Sequence, residues 1–230
     1  MEQFQRFSLL IGKEKIEKLK NATVLVIGLG GVGSYATETL ARSGIGNLIL
    51  VDNDIVDITN LNRQLMTLHS NVGLKKTEVW KQRINDINPE CRVKLYNQFI
   101  TPENLKELFT SKIDYVIDAI DYLPTKKEII RYCSKNDIPL ISSMGTGNKL
   151  DPSKLCITEL RKTSYDPIAR ILRKMVKEEK INKKIYVVCS TEIPKRKIEQ
   201  IIPSSAFVPS SAGILCASYV VRKLIGEFHG

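Results

Sequence analysis

Metal-binding and redox-active side chains are scarce in this sequence. Its 230 residues include two histidines, His69 and His229, too few for a histidine-rich metal site. The five cysteines, Cys91, Cys133, Cys156, Cys189 and Cys216, lie far apart in sequence and form no CxxC pair. That excludes the standard tetrahedral zinc spacings and reads as reduced core thiols of a cytosolic protein. No apolar run approaches the about 20 residues that a membrane helix needs. The opening Met1-Glu2-Gln3-Phe4-Gln5-Arg6 has no basic segment leading into an apolar stretch. No secretory signal is therefore expected, and the expected location is cytoplasmic, without a membrane partner. Repeats, low-complexity tracts and Gly/Ser linkers are also lacking.

What is present begins with an ordinary globular balance, 43% hydrophobic and 26% charged residues. The length suits a sizeable core without staples. Lysine and arginine number 35 against 25 acidic residues, a formal net charge of +10. That permits a polyanionic partner without naming one.

Residues 22–143 alternate between β-branched apolar runs (23–27, 48–51, 92–96, 115–117, 139–142) and stretches of helical period (31–43, 74–87, 102–110, 123–136). Alternation of this kind predicts an α/β fold, a Rossmann-like, doubly wound, mostly parallel sheet with helices on both faces. The runs are nearly continuously apolar, as strands buried on both sides must be. Beyond Gly147 the pattern changes. Runs 155–159 and 184–188 are expected to add antiparallel strands. Between them Asp166-Pro167 opens a helix. Ile168, Ile171, Leu172, Met175 and Val176 then recur at helical spacing, opposite a basic stripe of Arg170, Arg173, Lys174 and Lys177. Residues 212–225 are expected to close the core as a final helix.

The first apolar run leads into Gly28-Leu29-Gly30-Gly31-Val32-Gly33 and then a helix, the context a dinucleotide-type phosphate loop requires. Gly28 permits the tight turn, Gly30 and Gly31 let backbone N–H groups approach a phosphate, and Gly33 lets the helix pack on the strand. The helix N-terminus adds unpaired donors and the positive dipole end. Asp52 ends the second run, 24 residues after Gly28, where a carboxylate accepts hydrogen bonds from ribose hydroxyls. The loop alone does not choose between NAD and ATP.

The following segment favours ATP. A dehydrogenase needs little beyond Asp52 there, yet residues 53–64 add Asn60 and Arg63, and Lys75 and Lys76 follow Gly73. Arg63 and Lys76 suit a triphosphate and its departing pyrophosphate. Asp121 falls at the end of the fourth strand, where such sheets bind ligands, and a carboxylate beside phosphates is a natural Mg²⁺ ligand. Structural roles remain open for Lys75 (solvated), Asp118 (a strand-end cap) and Asp54 (holding its loop).

Together, Gly28–Gly33, Asp52-Asn53-Asp54, Asn60-Leu61-Asn62-Arg63-Gln64, Gly73-Leu74-Lys75-Lys76 and Asp118-Ala119-Ile120-Asp121 resemble the adenylation domain of the ubiquitin-activating family. The resemblance covers about residues 6–145. It implies that Asp52 holds the ATP ribose, that Asn60, Arg63 and Lys76 contact phosphates with Asp54 and Gln64 beside them, and that Asp121 binds Mg²⁺. It also implies a homodimer in which Arg6 reaches the partner's ATP. Arg6, Arg63, Lys76 and Asp121 are thus the expected catalytic residues.

The second half resembles a branch of that superfamily, the tRNA threonylcarbamoyladenosine dehydratases. The motifs are Ser164-Tyr165-Asp166-Pro167-Ile168-Ala169-Arg170-Ile171-Leu172-Arg173, Val187-Val188-Cys189-Ser190-Thr191-Glu192, Phe207-Val208-Pro209 and, earlier, Ile87-Asn88-Pro89-Glu90-Cys91. Cys189 stands where that family commonly has tyrosine, and is read as a buried strand thiol, not a nucleophile. The resemblance implies ATP-dependent adenylation of the free carboxylate of threonylcarbamoyladenosine beside the anticodon, followed by intramolecular ring closure. It further implies a possible sulfur-relay partner. One adenylation domain over residues 1–230 is expected, with a nucleotide-binding half (1–147) and a tRNA-facing half (148–230). Lys162, Arg170, Arg173, Lys174, Lys195, Arg196 and Lys197 are the expected tRNA contacts. The rival readings are an activator of a ubiquitin-like sulfur carrier, an NAD-dependent oxidoreductase and a non-enzymatic nucleotide-sensing or RNA-binding module.

Overall fold

A computed structural model describes residues 2–194 and 202–227. After a single 3₁₀ turn come two short helices, α1 (Gln5–Ile11) and α2 (Lys13–Asn21), separated at Gly12, whose φ is 91°. The sequence reading assigned no element here, although Ile16 and Leu19 are buried at helical spacing. β1 (Thr23–Ile27), α3 (Gly31–Arg42), β2 (Asn47–Val51), α4 (Lys76–Ile87), β3 (Arg92–Tyr96), β4 (Tyr115–Asp118), α5 (Leu123–Lys135) and β5 (Leu140–Ser143) follow as alternating units. β6 (Leu155–Glu159), α6 (Pro167–Glu178), β7 (Tyr186–Ser190) and α7 (Phe207–Leu224) complete the order.

The strands form one seven-stranded sheet in the order β3-β2-β1-β4-β5-β7-β6. The chain runs outward from β1 through β2 to β3, then returns and runs the other way from β4. The strand order therefore reverses between β1 and β4, and a crevice opens at their carboxyl ends. β1 registers Ile27 against Val51 on one side and Asp118 on the other, so the loops after β1, β2 and β4 converge there. Of the two C-terminal strands, β6 is antiparallel to β7, whereas β7 pairs parallel with β5. The expected antiparallel addition is thus a single strand.

Alternate β1 residues feed two cores, as a doubly covered strand requires. Val24 and Val26 pack with Leu40 of α3, Trp80 of α4 and Cys216 and Val220 of α7. Leu25 and Ile27 pack on the other face with Leu105, Leu108 and Ile129. A third cluster joins Ala169, Leu172, Met175 and Val176 of α6 to Val187 and Cys189 of β7. α3 and α7 touch at Gly213, where an added Cβ would lie 2.2 Å from the Val32 carbonyl oxygen.

Several boundaries moved. The helix expected over 102–110 is a 3₁₀ turn, Leu105–Leu108. Only its two leucines are buried, and a 3₁₀ turn eclipses positions i and i+3. α7 begins at Phe207, five residues before the expected start. Pro209 stands in its first turn, where a missing N–H costs nothing.

Candidate active site

At the crevice lies a pocket of about 400 Å³. Every residue expected to bind the nucleotide lines it except Gly33. Gly33 lies beneath: a Cβ there would sit 1.8 Å from the Gly28 carbonyl oxygen, so α3 approaches the loop this closely only without a side chain. Gly28 itself has φ 90°, and its missing Cβ leaves room for the Ala119 carbonyl. α3 starts after Gly30 with no side-chain cap. Its first N–H groups are therefore open to a ligand, with the helix dipole behind them.

Asp52 is fixed at the end of β2. One oxygen accepts the Leu29 N–H at 2.7 Å and the other the Asp54 N–H at 2.9 Å. Burial raises its pKa above the ordinary aspartate value, against the pull of Lys76 and these two donors. The remaining lone pairs of an ionised Asp52 face the pocket as acceptors, the chemistry a ribose diol matches.

Two cations enter from the segment after β2. Lys76, the first residue of α4, is buried, and its Nζ lies 2.7 Å from Asp54 Oδ2. Asp54 thus holds Lys76, a partner outside its own loop, while still lining the pocket. Arg63 donates through Nη1 to the Thr59 carbonyl (2.8 Å) and Asn62 Oδ1 (2.9 Å). Its remaining N–H groups have no protein partner among the described residues. Asn60 is buried in a capping box with Asp57. Gln64 is buried beside Gly30, and its Oε1 has no hydrogen-bond partner among the described residues.

Asp121 is exposed at the pocket edge and forms no hydrogen bond or ion pair among the described residues. The residues fit a magnesium nucleotide: a carboxylate free to hold a hard cation, an orphaned buried amide oxygen in the same pocket, and two cations for phosphates. No group of three His, Cys, Asp or Glu ligands occurs among the described residues, so an ion here would share its coordination with phosphate oxygens.

Asp118 does not line the pocket. It is fully buried: Oδ2 accepts Lys126 Nζ at 2.8 Å and Ser142 Oγ at 2.6 Å, and Oδ1 accepts the Ile120 N–H at 3.3 Å. Lys126 Nζ also donates to Ser142 Oγ and the Ser143 carbonyl. This network ties β4, β5 and α5 under the turn that carries Asp121. The sequence reading missed Lys126, yet a signal existed: it falls at i, i+3, i+4, i+7 with Ile129, Ile130 and Cys133, on the buried face of α5.

Thr146, Ser204 and Pro209 wall the pocket and were also missed. The 145–150 loop is anchored from the second half. Asp166 caps α6 through Oδ1 to the Ala169 N–H (2.9 Å), accepts the Gly145 N–H at Oδ2 (3.0 Å), and pairs with buried Lys149 at 3.5 Å.

Arg6 lies exposed on α1 and does not line this pocket. Lys162, Arg170 and Lys174 are exposed. Arg173 is not free as expected: its Nη1 donates to the Thr163 carbonyl at 2.8 Å and also to the Thr163 hydroxyl. The turn after β6 is closed by that contact. Lys195, Arg196 and Lys197 lie outside the described residues. Cys189 faces Cys156 across β7 and β6, sulfur to sulfur 3.8 Å, and burial pushes its thiol up to about 12. Such a thiol is a poor nucleophile at neutral pH.

An uncapped glycine-loop helix, a buried carboxylate, two cationic side chains and an Asp121 with no partner among the described residues surround one crevice, an arrangement that suits a nucleotide. The chain belongs to the ThiF family, whose model matches residues 3–227. Within it, the chain is 46% identical to the tRNA threonylcarbamoyladenosine dehydratase of Bacillus subtilis, over 99% of this chain and 96% of that one. It is also similar to crystal structures of the Escherichia coli tRNA N6-threonylcarbamoyladenosine dehydratase. The complex with AMP superposes with a TM-score of 0.92 at 36% identity, covering 98% of this chain and 95% of that one. The complex with ATP gives 0.91 at 37% identity, with the same coverage.

Proposed function

We propose that this chain is an ATP-dependent tRNA threonylcarbamoyladenosine dehydratase that works through carboxylate adenylation. The observation carrying the reading is the convergence of Asp52, the open N-terminus of α3, Arg63, Lys76 and Asp121 on one pocket. Similarity over nearly the whole chain to dehydratases supports the substrate.

In this mechanism Asp52 accepts the ribose hydroxyls and the glycine loop holds phosphate through backbone N–H groups. The substrate carboxylate attacks the α-phosphorus, forming an acyl-adenylate and releasing pyrophosphate. Arg63 and Lys76 stabilise the charge that develops on that leaving group. Asp121 would hold Mg²⁺, which supplies further charge neutralisation at the phosphates. An atom of the same ureido group then attacks the acyl carbon and expels AMP, so that one water is lost overall. An intramolecular attack has a high effective molarity and needs no enzyme thiol, in keeping with the raised pKa of Cys189.

The rest of the assignment is proposed on the same footing. Residues 1–230 act as one adenylation domain, supported by a single sheet that takes strands from both halves. Arg6 acts across a homodimer interface, supported by its exposure and its absence from the lining of its own pocket. The exposed Lys162, Arg170 and Lys174, with Lys195, Arg196 and Lys197, contact the tRNA backbone. A cytoplasmic enzyme fits an even spread of free thiols, and no helix among the described residues is long and apolar enough to cross a membrane. A sulfur-relay protein is a further proposed partner.

ATP–pyrophosphate exchange tests the reading. Exchange should require tRNA carrying threonylcarbamoyladenosine and be abolished in Asp121→Ala. Exchange driven instead by the C-terminus of a ubiquitin-like sulfur carrier would transfer the chain to the rival branch.

A further inference from the structure

Tyr165 is an aromatic side chain that the fold does not use. The residue is 63% exposed, and its ring and hydroxyl make no contact of the aromatic or hydrogen-bonding kind among the described residues. Its backbone has φ 59°, a left-handed conformation that favours glycine and asparagine and is an outlier for a bulky residue. Asparagine at this position would hold the turn with less strain. Neither packing nor backbone geometry therefore accounts for a tyrosine, and an outlier of this kind points toward function.

Its surroundings say what it meets. Tyr165 stands on the rim of a groove between α5 and α6 whose lining includes Lys127, Arg170 and Lys174. The acidic members, Asp166, Glu178 and Glu179, are engaged by Lys149 at 3.5 Å, Lys174 at 3.7 Å and Arg131 at 2.6 Å. Lys127 and Arg170 form no ion pair among the described residues. The groove is also tethered to the nucleotide pocket. The neighbour of Tyr165, Asp166, accepts the Gly145 N–H at 3.0 Å, and the next residue, Thr146, lines the pocket. One peptide link, one hydrogen bond and another peptide link connect the aromatic ring's residue to the pocket wall.

Resting on the tRNA reading above, we propose that Tyr165 is a stacking platform for an unpaired RNA base next to the reacting adenosine, with Lys127 and Arg170 on the flanking phosphates. Single-stranded RNA is recognised by splayed bases stacked on aromatic rings beside cations. An adenosine whose N6 substituent must enter the pocket has to leave the loop stack, and its neighbour then loses a stacking partner. Tyr165 replaces that partner. The occupant is a loop rather than a stem, because a duplex offers no free base face.

The test uses an anticodon stem–loop RNA carrying threonylcarbamoyladenosine, with fluorescent 2-aminopurine at the flanking nucleotide. It is titrated with the full chain and with Tyr165→Phe, Tyr165→Leu and Tyr165→Asn. Wild type and Tyr165→Phe should quench the fluorophore and bind alike. Tyr165→Leu and Tyr165→Asn should lose the quench, bind about tenfold more weakly and raise the KM for RNA, with kcat and ATP affinity unchanged. Tyr165→Asn relieves the backbone, so its thermal midpoint should equal or exceed that of wild type, which separates lost binding from unfolding. Quenching retained in Tyr165→Leu and Tyr165→Asn would overturn the platform alone. A wild-type chain that binds no such RNA would overturn the tRNA reading and the platform with it.

Discussion

Lys76 and Asp54 form an ion pair of 2.7 Å in which the lysine is buried and the aspartate exposed. The asymmetry assigns their roles. The buried ammonium is aimed into the pocket from the first turn of α4, and the exposed carboxylate holds it there. Lys76→Ala should therefore lower the rate of pyrophosphate release by about 100-fold or more, the scale for losing a preorganised charge at a developing anion. Asp54→Asn leaves the ammonium in place and should cost less than about tenfold. Single-turnover release of pyrophosphate measures both, and equal losses would make Asp54 a ligand contact in its own right.

Asp52 gives the site a pH dependence of known sign. Burial raises its folded-state pKa, with Lys76 pulling the other way. Its ionised form is the one that accepts ribose hydroxyls, so ATP binding should weaken as pH falls through a value above the about 3.9 of ordinary aspartate. Linkage to folding runs oppositely. A raised folded pKa contributes stability that is full below the unfolded value and lost as pH rises through the folded one. ATP should therefore raise the thermal midpoint less and less on acidification, and the profile of Asp52→Asn should lack this step.

The Asp118–Lys126 pair is fully buried on both sides at 2.8 Å. Removing one partner leaves an uncompensated charge, so Lys126→Met should destabilise the fold by about 3–5 kcal/mol. Replacing both, Asp118→Leu with Lys126→Met, should recover most of that loss, because an apolar pair of similar volume is often neutral. Urea denaturation checks the order of the three proteins.

Arg170 and Arg173 differ although both lie on α6. Arg170 is exposed, whereas Arg173 is committed to Thr163. Arg170→Ala should reduce the salt slope of tRNA binding by about one. Arg173→Ala should leave the slope unchanged and lower the thermal midpoint instead.

Much of this site was legible because its signals are local. The glycine loop and Asp52 follow strand ends directly, strand ends are marked by apolar runs, and Arg63 and Lys76 stand in the charged segment between β2 and α4. The Arg173 contact was not legible because periodicity places a side chain on a helix face but says nothing of a carbonyl ten residues earlier that accepts from it. The 3₁₀ turn at Leu105–Leu108 was read as a helix because i, i+3 spacing serves both. Thr146 and Ser204 reach the pocket only through long-range tethers: Asp166 to Gly145, and the Asn62 amide to the Ser204 carbonyl at 3.0 Å. No sequence period encodes such contacts.

The most direct measurement is mass spectrometry of anticodon-loop nucleosides after incubating the purified chain with ATP, Mg²⁺ and threonylcarbamoylated tRNA. The expected result is a nucleoside lighter by one water, formed with release of AMP and pyrophosphate and absent with Asp121→Ala. An unchanged nucleoside under conditions that support pyrophosphate exchange would contradict the dehydratase assignment.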